Sequence, residues 1–200
     1  MELLLIRHAL PKKIVNVDTP ADPPLDDRGW RQAELLAEYL EPESIGAVWS
    51  SPMTRARQTA EPLAKLLGTE IVIDEHLSEW DRESNAYIPV EEMKATNHPM
   101  WQAMVAGEWA GAEDPATFQR NVVDAVERAI SAHAGQRIAV VCHGGVINAY
   151  VSHILSVANS TGFFHPDYTS IHRVMASSSG VRSLRSLNEI AHLRGTGLLG

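Results

Sequence analysis

The stretch LLLIRH, Leu3 to His8, is an apolar run that stops directly at Arg7 and His8, and its reading decides the fold. Further on, IAVVC, Ile138 to Cys142, stops in the same way at His143-Gly144-Gly145. Short, wholly apolar runs of this kind read as strands buried on both faces. In an open α/β sheet the end at which such strands stop is the carboxyl edge, where ligands bind. The two runs therefore bring two imidazoles and an arginine to one crevice, and that set of groups suits a phosphate.

Between and beyond these runs, strand and helix signals alternate. Asp26 reads as an N-cap ahead of a helix with Trp30, Ala33, Leu36, Ala37 and Leu40 on one face. Ile45 to Trp49 reads as a second strand. Ser51-Pro52 reads as a cap and first-turn proline, followed by a buried stripe of Ala56, Ala60, Leu63, Ala64 and Leu67, with Gly68 as the stop. Ile71 to Ile73 is a short third strand. Asp114-Pro115 starts a helix that turns Phe118, Val122, Val126 and Ala129 inward and ends at Gly135. A helix over Val146 to Leu155 follows the two glycines. Ser170 to Ala176 and Val181 to Leu187 read as strands around a serine and glycine turn, with a last helix or coil after Asn188. Strands separated by helices imply a parallel, doubly wound sheet.

One region breaks the rhythm. Arg82 to Asp114 is too long for a tight connection; Met93, Asn97, Met100, Trp101 and Met104 form a mainly apolar helical face there, and Trp109 follows. Such a stripe packs on a core, and it can also cap a pocket. No repeat or low-complexity linker divides the chain, so we expect one domain over residues 1–200 with a cap insertion at 82–114.

The bulk figures exclude several classes of function. At 200 residues the chain can bury a single substantial core. Seventeen Lys and Arg against 25 Asp and Glu give a formal charge of −8, which argues against nucleic acid or an anionic membrane as partner. The apolar stretch at MELLLIRHAL is too short for a signal peptide, and no run of about 18 uncharged apolar residues occurs. We therefore expect a cytoplasmic protein. The lone Cys142 fits a reducing compartment.

The strings LLLIRHA, SSPMTRARQTA (Ser50 to Ala60), LSE (Leu77 to Glu79) and VVCHGG (Val140 to Gly145) occur in the order and approximate spacing of the histidine phosphatase superfamily, which includes the cofactor-dependent phosphoglycerate mutases. PLDDRGWRQAELLAEYL, Pro24 to Leu40, also resembles that family's first helix, so the resemblance spans nearly the whole chain. It implies that His8 is a nucleophile that becomes phosphorylated, that Arg7, Arg55 and His143 bind the phosphoryl group, and that Glu79 is the proton donor. It also implies a mixed six-stranded sheet with helices on both faces. The alternation of elements weights that sheet towards mostly parallel, and an α/β, doubly wound, mostly parallel six-stranded sheet is the expectation carried forward.

The chemistry of these residues agrees with the roles. A phosphoryl group in transfer carries charge on three equatorial oxygens and needs fixed cationic donors around an in-line nucleophile. Arg7 and Arg55 offer planar forks, and Arg55 falls near the start of its helix, where backbone dipoles favour an anion. Gly144 and Gly145 let bare N–H groups approach an oxygen closely. A neutral imidazole attacks at pH 7 without a separate base, so neither a metal nor a cofactor is expected. Two assignments have rivals within the sequence: Arg57 competes with Arg55, which could instead pair with Glu61, and Glu75, Asp81 and Glu83 surround Glu79 in a loop of the kind that is usually solvated.

Other matches fail. GTGLLG at Gly195 to Gly200 fits a dinucleotide pattern as text, but no helix can follow it. Cys142 lacks the arginine six residues later that a cysteine phosphatase loop needs; Asn148 stands there. His172 and His192 have no flanking ligand spacing and read as structural. Asn159-Ser160-Thr161 is a glycosylation sequon that a cytoplasmic chain does not use.

The sequence departs from the family pattern after His8. Ala9 replaces the usual glycine, which implies an ordinary backbone angle there, and Leu10-Pro11-Lys12-Lys13 replaces the usual hydroxyl and acidic residues. The loop and longer insertion with which the mutases hold a bisphosphorylated intermediate are missing. A metal-independent phosphomonoester hydrolase, a phosphoric monoester hydrolase of the histidine acid type, is therefore preferred. A mutase on the same site and an inactive phospholigand-binding module are the alternatives. The expected partner is a small phosphorylated substrate, with monomer and homodimer both open; Lys12 or Lys13 is a candidate contact to a second anionic group.

Overall fold

The computed structural model describes residues 1–15, 17–106, 113–157 and 162–199. Its six strands are β1 (Glu2–Arg7), β2 (Ile45–Ser50), β3 (Ile71–Ile73), β4 (Arg137–Cys142), β5 (Ile171–Ala176) and β6 (Arg182–Glu189), in the order β3-β2-β4-β1-β5-β6. The pairings β2–β3, β2–β4 and β1–β4 are parallel. The pairings β1–β5 and β5–β6 are antiparallel, so the sheet is mixed and not mostly parallel.

The reason lies in the connections. β5 and β6 form a hairpin whose turn is closed by Ser177 N–H to Val181 O at 2.9 Å, with Gly180 at φ +90°. A reversal that short has no length for a crossover helix, and its strands must run opposite ways. Ahead of β5 the chain has already returned to the carboxyl edge, where Thr169 N–H donates to Arg7 O at 3.1 Å, so β5 starts beside the end of β1.

The apolar runs behave as strands buried on both faces. All six residues of β1 are buried. Leu3 and Leu5 face α5 (Pro115–Ala132) and α6 (Gly144–Leu155), while Leu4 and Ile6 face α1 (Asp27–Leu40) and α2 (Thr54–Leu67). Asp26 caps α1 through Gly29 N–H, and Ala33, Leu36, Ala37 and Leu40 are its buried stripe, as the periodicity predicts. Asp114 likewise caps α5. α2 starts later than its Ser51-Pro52 signal suggests: Met53 is its N-cap without a side-chain bond, and Asp22 from a distant loop accepts the Thr54 N–H at 2.9 Å instead. Ser51 is thereby left for another task. After β6 only a single 3-10 turn, Ala191–Leu193, is formed.

The expected continuous face of Met93, Asn97, Met100, Trp101 and Met104 is broken into α3 (Val90–Ala95) and α4 (Pro99–Val105). Asn97 adopts φ +49° between them, and Pro99 opens the second helix. Met93 is buried whereas Met100 is exposed, so the first helix docks through this stripe while the second turns Met100 outward. Trp109, the sequon at Asn159 and Gly200 lie outside the described residues. Among the described residues no helix is long and apolar enough to cross a membrane.

Candidate active site

The carboxyl edges of β1, β2 and β4, with the loop after β3, bring together Arg7, His8, Arg55, Glu79, His143 and Gly144. Arg7 ends β1 and His8 follows it; Ser51 follows β2; His143 follows β4 and is the N-cap of α6. His8 and His143 lie with ring centroids 5.1 Å apart. Arg55, on the first turn of α2, is 1% exposed, whereas its rival Arg57 is on the surface.

The His8 ring is fixed in one tautomer. Its Nδ1 is 2.8 Å from the carbonyl oxygen of Ala9, and a carbonyl only accepts, so Nδ1 carries the proton and Nε2 keeps its lone pair. Burial and the charges of Arg55 and Arg7 hold this histidine well below the usual imidazole range, with the Ala9 carbonyl opposing. It is neutral at pH 7. Ala9 has no left-handed backbone, in keeping with its ordinary side chain, and its N–H donates to Thr59 Oγ1 at 2.9 Å.

His143 is likewise held neutral by burial and by Arg55, His8 and Arg7. Its Nε2 meets Ser51 Oγ at 2.8 Å. Ser51 Oγ already accepts the Met53 N–H at 3.2 Å, and when it gives its own proton to Nε2 the Nδ1–H of His143 is free for an oxygen.

Both arginines are held by their ends and leave donors vacant. Arg7 Nη1 donates to Pro166 O at 2.6 Å and its guanidinium lies 4.0 Å over the Tyr168 ring. Arg55 Nη2 lies 3.6 Å from Asp81 Oδ1, and its guanidinium lies 4.8 Å over the Tyr87 ring. Arg7 Nε, Arg55 Nε, Arg55 Nη1 and His143 Nδ1 are buried and have no hydrogen-bond partner among the described residues. Each such atom costs on the order of 1–3 kcal/mol unless an acceptor arrives, and a multivalent oxyanion satisfies them together. Gly144 opens α6 beside them; a Cβ there would lie 4.0 Å from Arg7 Nε.

Glu79 sits in the loop after β3 and crosses to α6. Gly145 N–H donates to its Oε2 at 2.9 Å, and Trp80 N–H to its Oε1 at 3.1 Å. Gly145 is required here, because a Cβ would collide with the Glu79 carboxylate and the Trp80 ring. Burial, and then the neighbouring charge of Asp81, push Glu79 up to about 7, against the two backbone N–H groups and Arg55. Asp81 is itself raised by burial.

Ser51, Tyr87 and Tyr168 were not expected from the sequence to be site residues, and Asp81 entered it only as a rival to Glu79. The Tyr87 and Tyr168 rings lie 6.4 and 5.7 Å from His8, and their hydroxyls are 3.5 Å apart. Lys12 and Lys13 are both exposed, and Lys13 pairs with Glu92. His172 and His192 are structural: the first meets Ser170 Oγ at 3.0 Å, the second Thr169 Oγ1 at 2.9 Å.

An end-of-strand histidine pair with two buried arginines is suited to holding a phosphoryl group, and comparison with known proteins gives the class to which the chain belongs. Residues 3–189 match the histidine phosphatase superfamily, branch 1, and the chain belongs to that superfamily. It is 28% identical over 182 residues to phosphoserine phosphatase 1 of Hydrogenobacter thermophilus, covering 86% of each chain. A protein named as a probable phosphoglycerate mutase from Yersinia enterocolitica is 25% identical over 165 residues, covering 78% of this chain and 76% of its own. Among solved structures, a phosphoserine phosphatase mutant from Entamoeba histolytica in complex with phosphoserine matches with a TM-score of 0.75 at 21% identity, over 96% of this chain and 98% of that one. A mycobacterial glucosyl-3-phosphoglycerate phosphatase complexed with VO3 gives 0.76 at 20% identity, over 94% and 99%.

Proposed function

We propose that the protein hydrolyses small phosphomonoesters through a phosphohistidine on His8, without a metal. The observation that carries this reading is the Ala9 carbonyl on His8 Nδ1, which leaves Nε2 as a neutral nucleophile among vacant donors. Arg7, Arg55, His143 Nδ1 and the Gly144 N–H bind the phosphoryl oxygens. His8 Nε2 attacks phosphorus as the ester P–O bond breaks, and the departing oxygen takes the Glu79 proton. Glu79, now a carboxylate, then takes a proton from a water that attacks the phosphohistidine; the N–P bond breaks, and phosphate leaves with Glu79 reprotonated. A carboxyl pushed up to about 7 is suited to both steps.

Hydrolysis is favoured over mutase chemistry because, among the described residues, the acidic side chains that act on Arg7 and Arg55 are the carboxyl groups of Glu79, Asp81 and Glu91. Lys13, the cation that could have held a second phosphate, is engaged by Glu92. The helices α3 and α4 serve in this reading as a cap, tied to the loop after His8 by the Ile14–Tyr87 bridge. A cytoplasmic enzyme acting on phosphorylated metabolites is its finer form, and O-phosphoserine and 3-phosphoglycerate are the first substrates to try. Given 3-phosphoglycerate with a trace of its bisphosphate, the enzyme should release inorganic phosphate or leave the ester untouched; rapid formation of 2-phosphoglycerate without phosphate release would establish the mutase. Turnover of an aryl phosphate excludes an inactive binding module.

A further inference from the structure

Glu91 belongs to neither the phosphate-binding set nor the acid, yet its charge acts on Arg7. It lies on the first turn of α3, four residues after Tyr87. Its Oε1 is 3.4 Å from Nε2 of His165, the residue before Pro166, whose carbonyl grips Arg7. Its Oε2 is buried and has no hydrogen-bond partner among the described residues. Burial opposes ionisation, but the His165 hydrogen bond and the charge of Arg7 outweigh it and hold Glu91 at about 2, so the group is a carboxylate at any working pH.

A buried, unpartnered carboxylate oxygen beside a phosphate pocket works against binding a simple phosphate dianion, because like charges close together in a partly desolvated site repel. The disposition makes sense when the ligand brings its own positive donor. A hydroxyl on the ligand would supply a hydrogen bond, but an ammonium supplies both the bond and the charge that cancels the repulsion. Of the neighbouring cations, Arg7 is held by Pro166 and Tyr168 with its free Nε beside Gly144, and Lys13 is paired with Glu92.

We infer that Glu91 is a specificity-determining residue whose Oε2 takes an ammonium group carried on the alcohol part of the substrate, making phosphomonoesters of amino alcohols the preferred class. This rests on the phosphomonoesterase reading above and adds to it the side of the substrate that does not react. In that role Glu91 acts on binding of the intact ester and leaves the attack by His8 alone.

Two esters that differ only in ammonium against hydroxyl, O-phosphoethanolamine and 2-hydroxyethyl phosphate, test it. The kcat/KM ratio of the first to the second should be about ten or more in the native enzyme, the size of one partly buried charge-assisted hydrogen bond, and should fall towards one in Glu91→Gln, mainly through KM. Glu91→Asp should restore part of it. A native ratio near one, or a ratio that Glu91→Gln leaves as it was, overturns the inference; the second result would make Glu91 a mere counter-charge to Arg7, felt alike by every phosphate. Calorimetric binding of the same two esters to His8→Ala reads the preference with the nucleophile removed. Failure to turn over any ester would therefore count against the hydrolase reading, while the binding ratio would still decide the role of Glu91.

Discussion

Gly145 N–H donates to Glu79 Oε2 at 2.9 Å, fastening the loop after β3 to the first turn of α6. The bond aims the carboxyl at the crevice and leaves no room for a side chain at residue 145. Gly145→Ala should therefore displace Glu79 and Trp80 while the sheet persists. Hydrolysis of an alkyl phosphate is expected to fall by about 10²-fold, the usual size of a misplaced general acid, with circular dichroism unchanged. An alanine variant of native activity would mean that Glu79 needs no such support.

Glu79 itself is tested through the leaving group and pH. An acid must be protonated to donate, so kcat/KM should be full below pH 7 and should decline as pH rises through about 7, where burial and Asp81 place this carboxyl. Glu79→Gln should abolish that limb and slow an alkyl phosphate by roughly 10² to 10⁴. Nitrophenyl phosphate, whose leaving group needs little protonation, should lose far less in burst measurements of the phosphorylation step. Equal losses on both esters would take the acid role away from Glu79.

Asp81 should matter too, although a carboxylate in an acidic loop is ordinarily solvated. Its charge is the second cause, after burial, of the raised Glu79, and its Oδ1 faces Arg55 Nη2 at 3.6 Å. In Asp81→Asn the high-pH limb of kcat/KM should move to lower pH, because one negative neighbour is gone, with Arg55 freer to shift and KM raised several-fold. A profile superposable on the native one would show that Glu79 owes its proton affinity to burial alone.

The fold and the site were legible to different depths. Residues that end a buried strand, Arg7, His8 and His143, could be placed from the apolar runs alone, because a strand's end fixes what lies at the sheet edge. Tyr168 was not found in that way. It precedes a strand that runs antiparallel to β1, and reading every strand as the sequel of a helix hides the fact that such a strand begins at the carboxyl edge. Ser51-Pro52 carried a convincing helix-start signal, but Asp22, 32 residues before Thr54, occupies that helix end, and Ser51 turns to His143. No local pattern records so distant a substitution. Asp81 looked like a solvated acid and Glu91 was not singled out at all, because burial of a carboxylate depends on a partner elsewhere in the chain: Arg55 for the first, His165 for the second.

The central claim is that His8 Nε2 carries the phosphoryl group, and trapping the phosphoenzyme tests it most directly. Enzyme mixed rapidly with labelled ester and quenched without acid should carry label that is stable to base, labile to acid and located by mass spectrometry on His8, formed as fast as the burst of alcohol. His8→Ala should carry none. Label persisting in that variant, or single-turnover phosphate release by the native enzyme with no label on His8 at any time, would contradict the account.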